Sequence, residues 1–312
     1  MSADPLSDAL ALVDARCVIS GGFSVGGAWA LRFRPQARLK LSAVVRGSCW
    51  LTADGVAQPL LLEEGDVVVV NDRSSVVLAG DLSVEPTESA ELFADSPGAV
   101  AHIGDGQEVV VIGGHVELDR GGEELLLTAL APIGHIRAST AEAPVLRALL
   151  DRLVHEMSTD RPGAAFATQQ LAQLLFVEIL RACVDGADAL PASWLRALAD
   201  DRLAPALRLM HGDPGRRWHL DELARSSAMS RTTFATRFRA VAGMPPLTYL
   251  HHWRMRIAER TLHDDDTSIA ALAHALGYSS ESAFSNAFKR TNGLAPRRFR
   301  DAVRRLDSAN AP

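Results

Sequence analysis

Residues 230–249 read SRTTFATRFRAVAGMPPLTY, and residues 280–299 read SESAFSNAFKRTNGLAPRRF. At this offset of 50, Ser230, Phe234, Phe238, Gly243, Pro246 and Tyr249 answer to Ser280, Phe284, Phe288, Gly293, Pro296 and Phe299. Arg239 answers to Lys289. Upstream, Leu223-Ala224 answers to Leu272-Ala273, off by one because the second turn carries an extra residue. Six related positions over 20 residues mark an internal repeat. In each copy the serine is placed to cap a helix by accepting from an orphan backbone N–H. The two phenylalanines, four residues apart, share one helix face, and the glycine stops the helix. Met229 and Phe234 are spaced for a hydrophobic staple around the first cap. A short amphipathic helix precedes each cap, with a turn at Ser226-Ser227 to Met229 in one copy and at Gly277 in the other. Each copy therefore predicts a helix-turn-helix.

The faces left outward are Arg231, Thr232, Ala235, Thr236 and Arg239 in the first copy. In the second they are Glu281, Ser282, Ser285, Asn286 and Lys289. A helix that only packs has no need of small polar groups and cations on its outer side. A DNA major groove does, because small residues permit close approach and the longer polar ones reach base edges. Pro245-Pro246 open a linking helix to about Leu262, near 16 residues or about 24 Å long. Such a rod can hold two recognition helices about one DNA turn, roughly 34 Å, apart. Arg254, Arg256 and Arg260 stud it, and some of them are expected to meet phosphates.

Charge agrees with this division. The chain of 312 residues has a net charge of −6, yet residues 205–312 hold 17 Arg or Lys against 10 Asp or Glu. Residues 1–204 hold 15 against 28. An acidic half is joined to a basic one, which suits an anionic partner for the basic half alone. Three cysteines, Cys17, Cys49 and Cys183, make neither a disulfide framework nor a zinc site. The charge-free stretches 17–31 and 162–177 fall short of a membrane span of about 20 residues. The start lacks the basic flank of a signal peptide, and a soluble cytoplasmic protein is expected.

The first half reads as β. Short runs at 28–34, 39–45, 49–53, 67–70, 76–78 and 109–118 are separated by glycine turns, which suggests a sandwich or barrel. Residues 85–106 read as a long loop. From Pro144 the period becomes helical: Val145, Leu149, Leu153 and Met157 recur every four residues. A second helix over 166–184 carries Leu171, Leu174, Leu175 and Ile179, and a third spans 194–203. These stripes suit a core or a dimer seam. The fold class is α+β in two domains. A β-rich domain covers 1–142, a helical dimerisation and linker region covers 143–204, and an all-α domain with two helix-turn-helix units covers 205–305.

Residues 205–305 resemble the AraC/XylS transcription-regulator DNA-binding domain, with seven helices and an ending at Gly293-Leu-Ala-Pro-Arg-Arg-Phe-Arg300. The resemblance implies base reading by Arg231, Thr232, Ala235 and Thr236, and by Glu281, Ser282, Ser285 and Asn286. Ala235 stands where the family usually has a long polar residue, which implies a weaker reading by the first helix. Arg297 and Arg298 fall where the last helix begins and are expected at phosphates. The first half is similar to the cupin-type barrel that precedes this domain in one AraC subgroup. The residues that carry this are Arg46-Gly47-Ser48-Cys49-Trp50-Leu51, residues 62–70 around Gly65-Asp66, residues 113–118, and 125–132.

Catalytic cupins hold a metal with histidines, and residues 1–101 contain none. His102, His115, His135 and His155 show no ligand spacing, and Glu63, Glu64 and Asp66 cluster at a turn where water can solvate them. No metal and no cofactor are expected, and a barrel interior of Val, Leu, Phe and Trp suits an apolar effector or a packed core. Cys17 falls at the first sensing position of subgroup members that respond to oxidants, so it is a candidate redox sensor. The resulting expectation is a bacterial, non-enzymatic, sequence-specific regulator of transcription, nucleoid-associated in the cytoplasm. Its partners are double-stranded promoter DNA, RNA polymerase, a small-molecule effector and a second copy of itself. The alternative is a cupin-fold enzyme fused to a DNA-tethering domain, which would need an acid, base and metal cluster in the barrel.

Overall fold

Eleven strands form among the described residues of the computed structural model, which are 4–90, 100–104, 106–159 and 161–310. In order they are β1 (Arg16–Val25), β2 (Ala30–Phe33), β3 (Leu39–Arg46), β4 (Cys49–Ala53), β5 (Leu60–Leu62) and β6 (Val67–Asn71). β7 (Val76–Ala79), β8 (Thr87–Glu88), β9 (Val100–Ile103), β10 (Val109–Glu117) and β11 (Ile133–Ile136) follow. The six expected runs are all present. β1 was not expected, and neither were the short strands β5 and β11. The stretch expected as a loop at 85–106 holds β8 and β9, while residues 91–99 and 105 lie outside the described residues.

The strands make two sheets, the sandwich of the two arrangements that their pattern suggested, and not the closed barrel that the cupin resemblance implied. One has six strands in the order β11-β6-β3-β10-β1-β9, the other five in the order β5-β4-β7-β2-β8. Phe23, Val44 and Val111 of the first sheet meet Leu31, Leu51 and Leu78 of the second in one apolar cluster, with Trp29 just ahead of β2. The back of the six-stranded sheet is covered as well. Helices α3 (Ala143–Met157) and α4 (Ala164–Asp185) supply the cover. The run Val67–Asn71 is therefore buried at every position, which is why it reads as continuous valine rather than as an alternation. The Gln173 side chain of α4 fastens the start of β1. Its amide donates to the Ala15 carbonyl at 2.9 Å, and its oxygen accepts from the Cys17 N–H at 3.0 Å.

The buried stripes share Leu153, Leu175 and Ile179 with the expected ones and are otherwise rotated from them. On α3 they are Leu146, Leu150 and Leu153, whereas Val145 faces solvent. On α4 they include Leu175, Phe176, Ile179 and Leu180, with Leu174 and Phe166 outside. A helix turns at 3.6 residues, so a strict period of four drifts off the buried face.

Residues 15–119 and 123–191 make up this sheet unit. The helical unit begins at Ala192, and it also takes α1 (Pro5–Leu12) from the start of the chain. In sequence order α2 (Arg120–Leu127) precedes α3, and α5 (Trp194–Ala199) follows α4. Seven further helices run from residue 204 to residue 310: α6 (Ala204–Gly212), α7 (Leu220–Ser226), α8 (Arg231–Ala242), α9 (Pro246–Asp264), α10 (Ile269–Ala275), α11 (Glu281–Asn292) and α12 (Pro296–Asn310). His211 of α6 is a central tie. It stacks on Trp253 at 3.8 Å between ring centres and shares a 2.6 Å hydrogen bond with the Tyr249 hydroxyl. Burial pulls its pKa down to about 3, so the ring is neutral. No helix among the described residues is long and apolar enough to cross a membrane.

The two helix-turn-helix turns use one backbone conformation with different residues. Gly277 takes φ +76° in the second turn, and Ala228 takes φ +49° in the first. A Cβ in the left-handed region costs about 1–2 kcal/mol, and glycine avoids it. Ala228→Gly is expected to stabilise the helical unit by about 1 kcal/mol in urea unfolding. No gain would mean that the turn relaxes out of this conformation.

Candidate nucleic-acid interface

The recognition helices are α8 and α11, and each is built as the repeat predicts. The Ser230 hydroxyl accepts from the Thr233 N–H at 3.2 Å, and the Ser280 hydroxyl accepts from the Ala283 N–H at 3.1 Å. Gly243 and Gly293 end the helices in the left-handed region, at φ +78° and +75°. Beneath them lies a repeated ladder of rings. Phe234 and Phe238 are 5.7 Å apart, and Phe238 meets Tyr249 at 5.8 Å. Phe284 and Phe288 are also 5.7 Å apart, and Phe288 meets Phe299 at 5.3 Å. All four phenylalanines of the recognition helices are fully buried. With the inner side fixed, the outer side of each helix is determined.

That outer side carries the candidate residues. Arg231, Thr232, Thr236 and Arg239 are exposed on α8, with Ala235 half-buried between them. Glu281, Ser282, Asn286 and Lys289 are exposed on α11, with Ser285 half-buried. Arg297 and Arg298 are exposed at the start of α12. Two of the charges have loose partners. Arg231 lies 3.9 Å from Asp221, and Arg297 lies 3.8 Å from Glu281, across the first turn of α11. Exposed pairs at such distances are worth little and are easily exchanged for a phosphate. Arg239, Lys289 and Arg298 make no ion pair among the described residues. Arg290 shares that freedom next to Lys289. It was not singled out from sequence, because its counterpart in the first copy is Ala240 and the repeat hides it.

The linking helix α9 runs 19 residues, about 28 Å at 1.5 Å per residue. In the DNA-free chain its arginines are engaged within the helical unit. Arg254 is half-buried and donates to the Pro214 and Arg216 carbonyls at 2.5 and 2.8 Å. Arg256 pairs with Glu259 at 3.0 Å, and Arg260 pairs with Asp264. These cations brace the rod and its neighbours.

In the sheet unit, Cys17 is 2% exposed, and burial pushes its thiol up to about 12. The reactive form is the thiolate, so oxidation here needs the strand to open first. Asp66, expected in a solvated turn, is instead buried. Its carboxylate accepts from the Glu63 N–H at 3.0 Å, the Ala138 N–H at 2.7 Å and His135 Nε2 at 2.7 Å. His102 and His115 likewise meet Ser24 at 2.6 Å and Ser20 at 2.9 Å. Among the described residues no three His, Cys, Asp or Glu side chains converge where they could hold a metal ion.

Comparison with known proteins matches the family described as Cupin over residues 4–185 and the Helix-turn-helix domain over residues 223–302. A putative AraC-like transcription regulator of Streptomyces lividans is 38% identical over 298 residues, covering 95% of this chain and 98% of its own. A protein of the same description from Streptomyces antibioticus is 37% identical over 297 residues, with the same coverage of 95% and 98%. The HTH-type transcriptional regulator AlkR of Acinetobacter baylyi is 30% identical over 284 residues, covering 88% of this chain and 91% of its own. The likeness runs through both units and not through the helices alone, so the chain belongs to the AraC-like transcription regulators, with a cupin unit joined to a DNA-binding helix-turn-helix domain.

Proposed function

We propose that this regulator reads a promoter site through α8 and α11 in successive major grooves, and that its sheet unit reports a small-molecule effector. One observation carries the first part. The two helices repeat their caps, ring ladders and stops, while Arg231, Ala235 and Thr236 on one outer face stand where the other has Glu281, Ser285 and Asn286. Repetition of the scaffold with divergence of the exposed face is what two base-reading surfaces on one duplex require. Arg239, Lys289, Arg290 and Arg298 supply phosphate contacts that position the helices, and Thr232, Thr236, Glu281 and Asn286 read bases. The sheet unit carries no metal or cofactor and catalyses nothing. The acidic balance of residues 1–204 keeps that part of the chain away from the duplex. Apolar side chains left in the open on α3 and α4, Val145, Leu174 and Phe166, support pairing of two copies. RNA polymerase is the protein partner on the promoter, and the cytoplasmic nucleoid is the place of action. The buried Cys17 thiol favours a small-molecule effector over an oxidant.

Selection of bound duplexes from a random pool with the purified protein tests the reading. Asn286→Ala should lose a preference for adenine at one position, and Glu281→Ala a preference for cytosine. Each is worth about 1–3 kcal/mol of discrimination. Glu281→Ala also releases Arg297, so its binding to all sequences should strengthen slightly while its selectivity falls. Identical selected sites for wild type and both variants would show that α11 does not read bases through these residues.

A further inference from the structure

Between the two sheets, at the end marked by Lys40 and His115, lies a cavity of about 470 Å³. That volume is within the range of small-molecule sites, about 300–1,000 Å³. Pairing places the charged groups. His115 stands opposite Lys40, and Lys40 stands opposite Val70. Residues directly opposite share a face. Val70 belongs to the cluster between the sheets, so Lys40 and His115 face inward too. In the neighbouring row Gly113 stands opposite both Gly21 and Ser42. A Cβ on Gly113 would meet nothing nearer than 3.8 Å. Backbone sterics do not demand glycine there, and its effect is to leave the inter-sheet space open.

Lys40 is one of only two lysines in the chain. It is half-buried and makes no ion pair or hydrogen bond among the described residues. Burial alone holds its pKa below the usual lysine range. His115 is lowered by burial and by Lys40, which outweigh the opposite pull of the exposed Glu117 carboxylate 3.7 Å from its Nε2, so it adds hydrogen-bonding capacity rather than charge near neutral pH. At the cavity mouth Arg34 is already occupied, with contacts to the Glu88 carboxylate at 3.0–3.3 Å. The rest of the wall is apolar: Phe23, Phe33, Val70, Val76, Leu78 and Val111. A single unmatched cation at the edge of an apolar chamber is costly unless an anion completes it. One cation asks for one negative charge. The stacked Phe23 and Phe33 rings, 6.1 Å apart at 28°, offer a surface for a flat body.

We infer that this cavity is the effector site of the sheet unit and that it takes a monocarboxylate with a compact aromatic body, its carboxylate on Lys40 with Ser42 and His115 alongside. The inference rests on the sensor reading above and names the chemistry of its ligand. Gly113 is a specificity-determining residue by omission, since any larger side chain would occupy the chamber.

Titration of the full-length protein with 2-naphthoate and with neutral 2-naphthamide tests it. Wild type should bind the carboxylate at least about tenfold more tightly than the amide, because a charge-assisted contact is the stronger one. Lys40→Met should remove that preference and keep the amide affinity, Lys40→Arg should restore most of it, and Gly113→Leu should lose both ligands. Lys40→Met should also unfold at a higher temperature without ligand, since an unmatched charge is gone; a lysine with a purely structural role would give the opposite shift. Equal binding of the two probes by wild type, binding of neither, or a preference that survives in Lys40→Met would overturn the inference. Repeating the titration while following affinity for selected DNA separates the two readings. A Lys40-dependent carboxylate site with no effect on DNA leaves the site standing and removes its role as a sensor. A change in DNA affinity produced equally by the amide keeps the sensor and overturns the anion site.

Discussion

Phe284→Ala is expected to destabilise the helical unit by about 3–5 kcal/mol, enough to abolish DNA binding at physiological temperature. The ring is fully buried and meets Tyr278 at 5.4 Å edge to face and Phe288 at 5.7 Å. Its removal leaves a cavity that the capped ends of α11 cannot close, and aromatic pairs add about 0.5–1.5 kcal/mol beyond area. Phe234→Ala, the same position in the first copy, should behave alike. Urea unfolding of the full chain, followed in parallel by retention of DNA binding, gives the result. A loss below about 1 kcal/mol at either position would contradict the repeated ladder as the foundation of the two recognition helices.

The second large effect belongs to Asp66. Asp66→Ala leaves two backbone N–H groups and the ring of His135 without their buried acceptor, and a cost of about 3–5 kcal/mol to the sheet unit is expected. Burial pushes this carboxyl up, but the bonds from Glu63, Ala138 and His135 outweigh it and hold the group below the usual carboxylate range. A depressed pKa contributes stability that is fully present above the unfolded value, about 3.9, and is lost as pH falls through the folded one. The stability gap between wild type and Asp66→Ala should therefore be full at pH 7 and close progressively below about pH 4. A gap that persists unchanged at pH 2 would mean that packing, and not the carboxylate, is what the substitution removed.

What could be read from sequence was what repeats or alternates. The caps Ser230 and Ser280, the phenylalanine pairs and the glycine stops were legible because each copy vouched for the other. Strands such as Val67–Asn71 were legible because both their faces are covered and every position is apolar. β1 was not, since Gly21 and Gly22 interrupt its pattern and the pairing with β10 shifts register between Ile19 and Gly21. Partners distant in sequence were hidden. Nothing near Asp66 announces His135, 69 residues on, and nothing near Arg254 announces the carbonyls of Pro214 and Arg216. Asp66 was accordingly read as solvated when the fold buries it, and the internal bonds of Arg254 went unread. The cavity beside Lys40 was illegible for the same reason, because it comes from rows across four strands and not from any one of them.

DNA reading by this chain needs two recognition helices engaging one duplex from a fixed rod. Insertion of 5 base pairs between the two half-sites of a selected duplex turns one of them by about half a helical turn, given about 10–10.5 base pairs per turn. Fluorescence anisotropy of the full-length protein on the intact and the inserted duplexes, each at several salt concentrations, is the direct measurement. A two-helix grip on one duplex gives tight, steeply salt-dependent binding to the intact site, and a fall to the affinity and shallower salt slope of a single half-site on the inserted one. Equal affinity for both duplexes, or binding to neither, would contradict it.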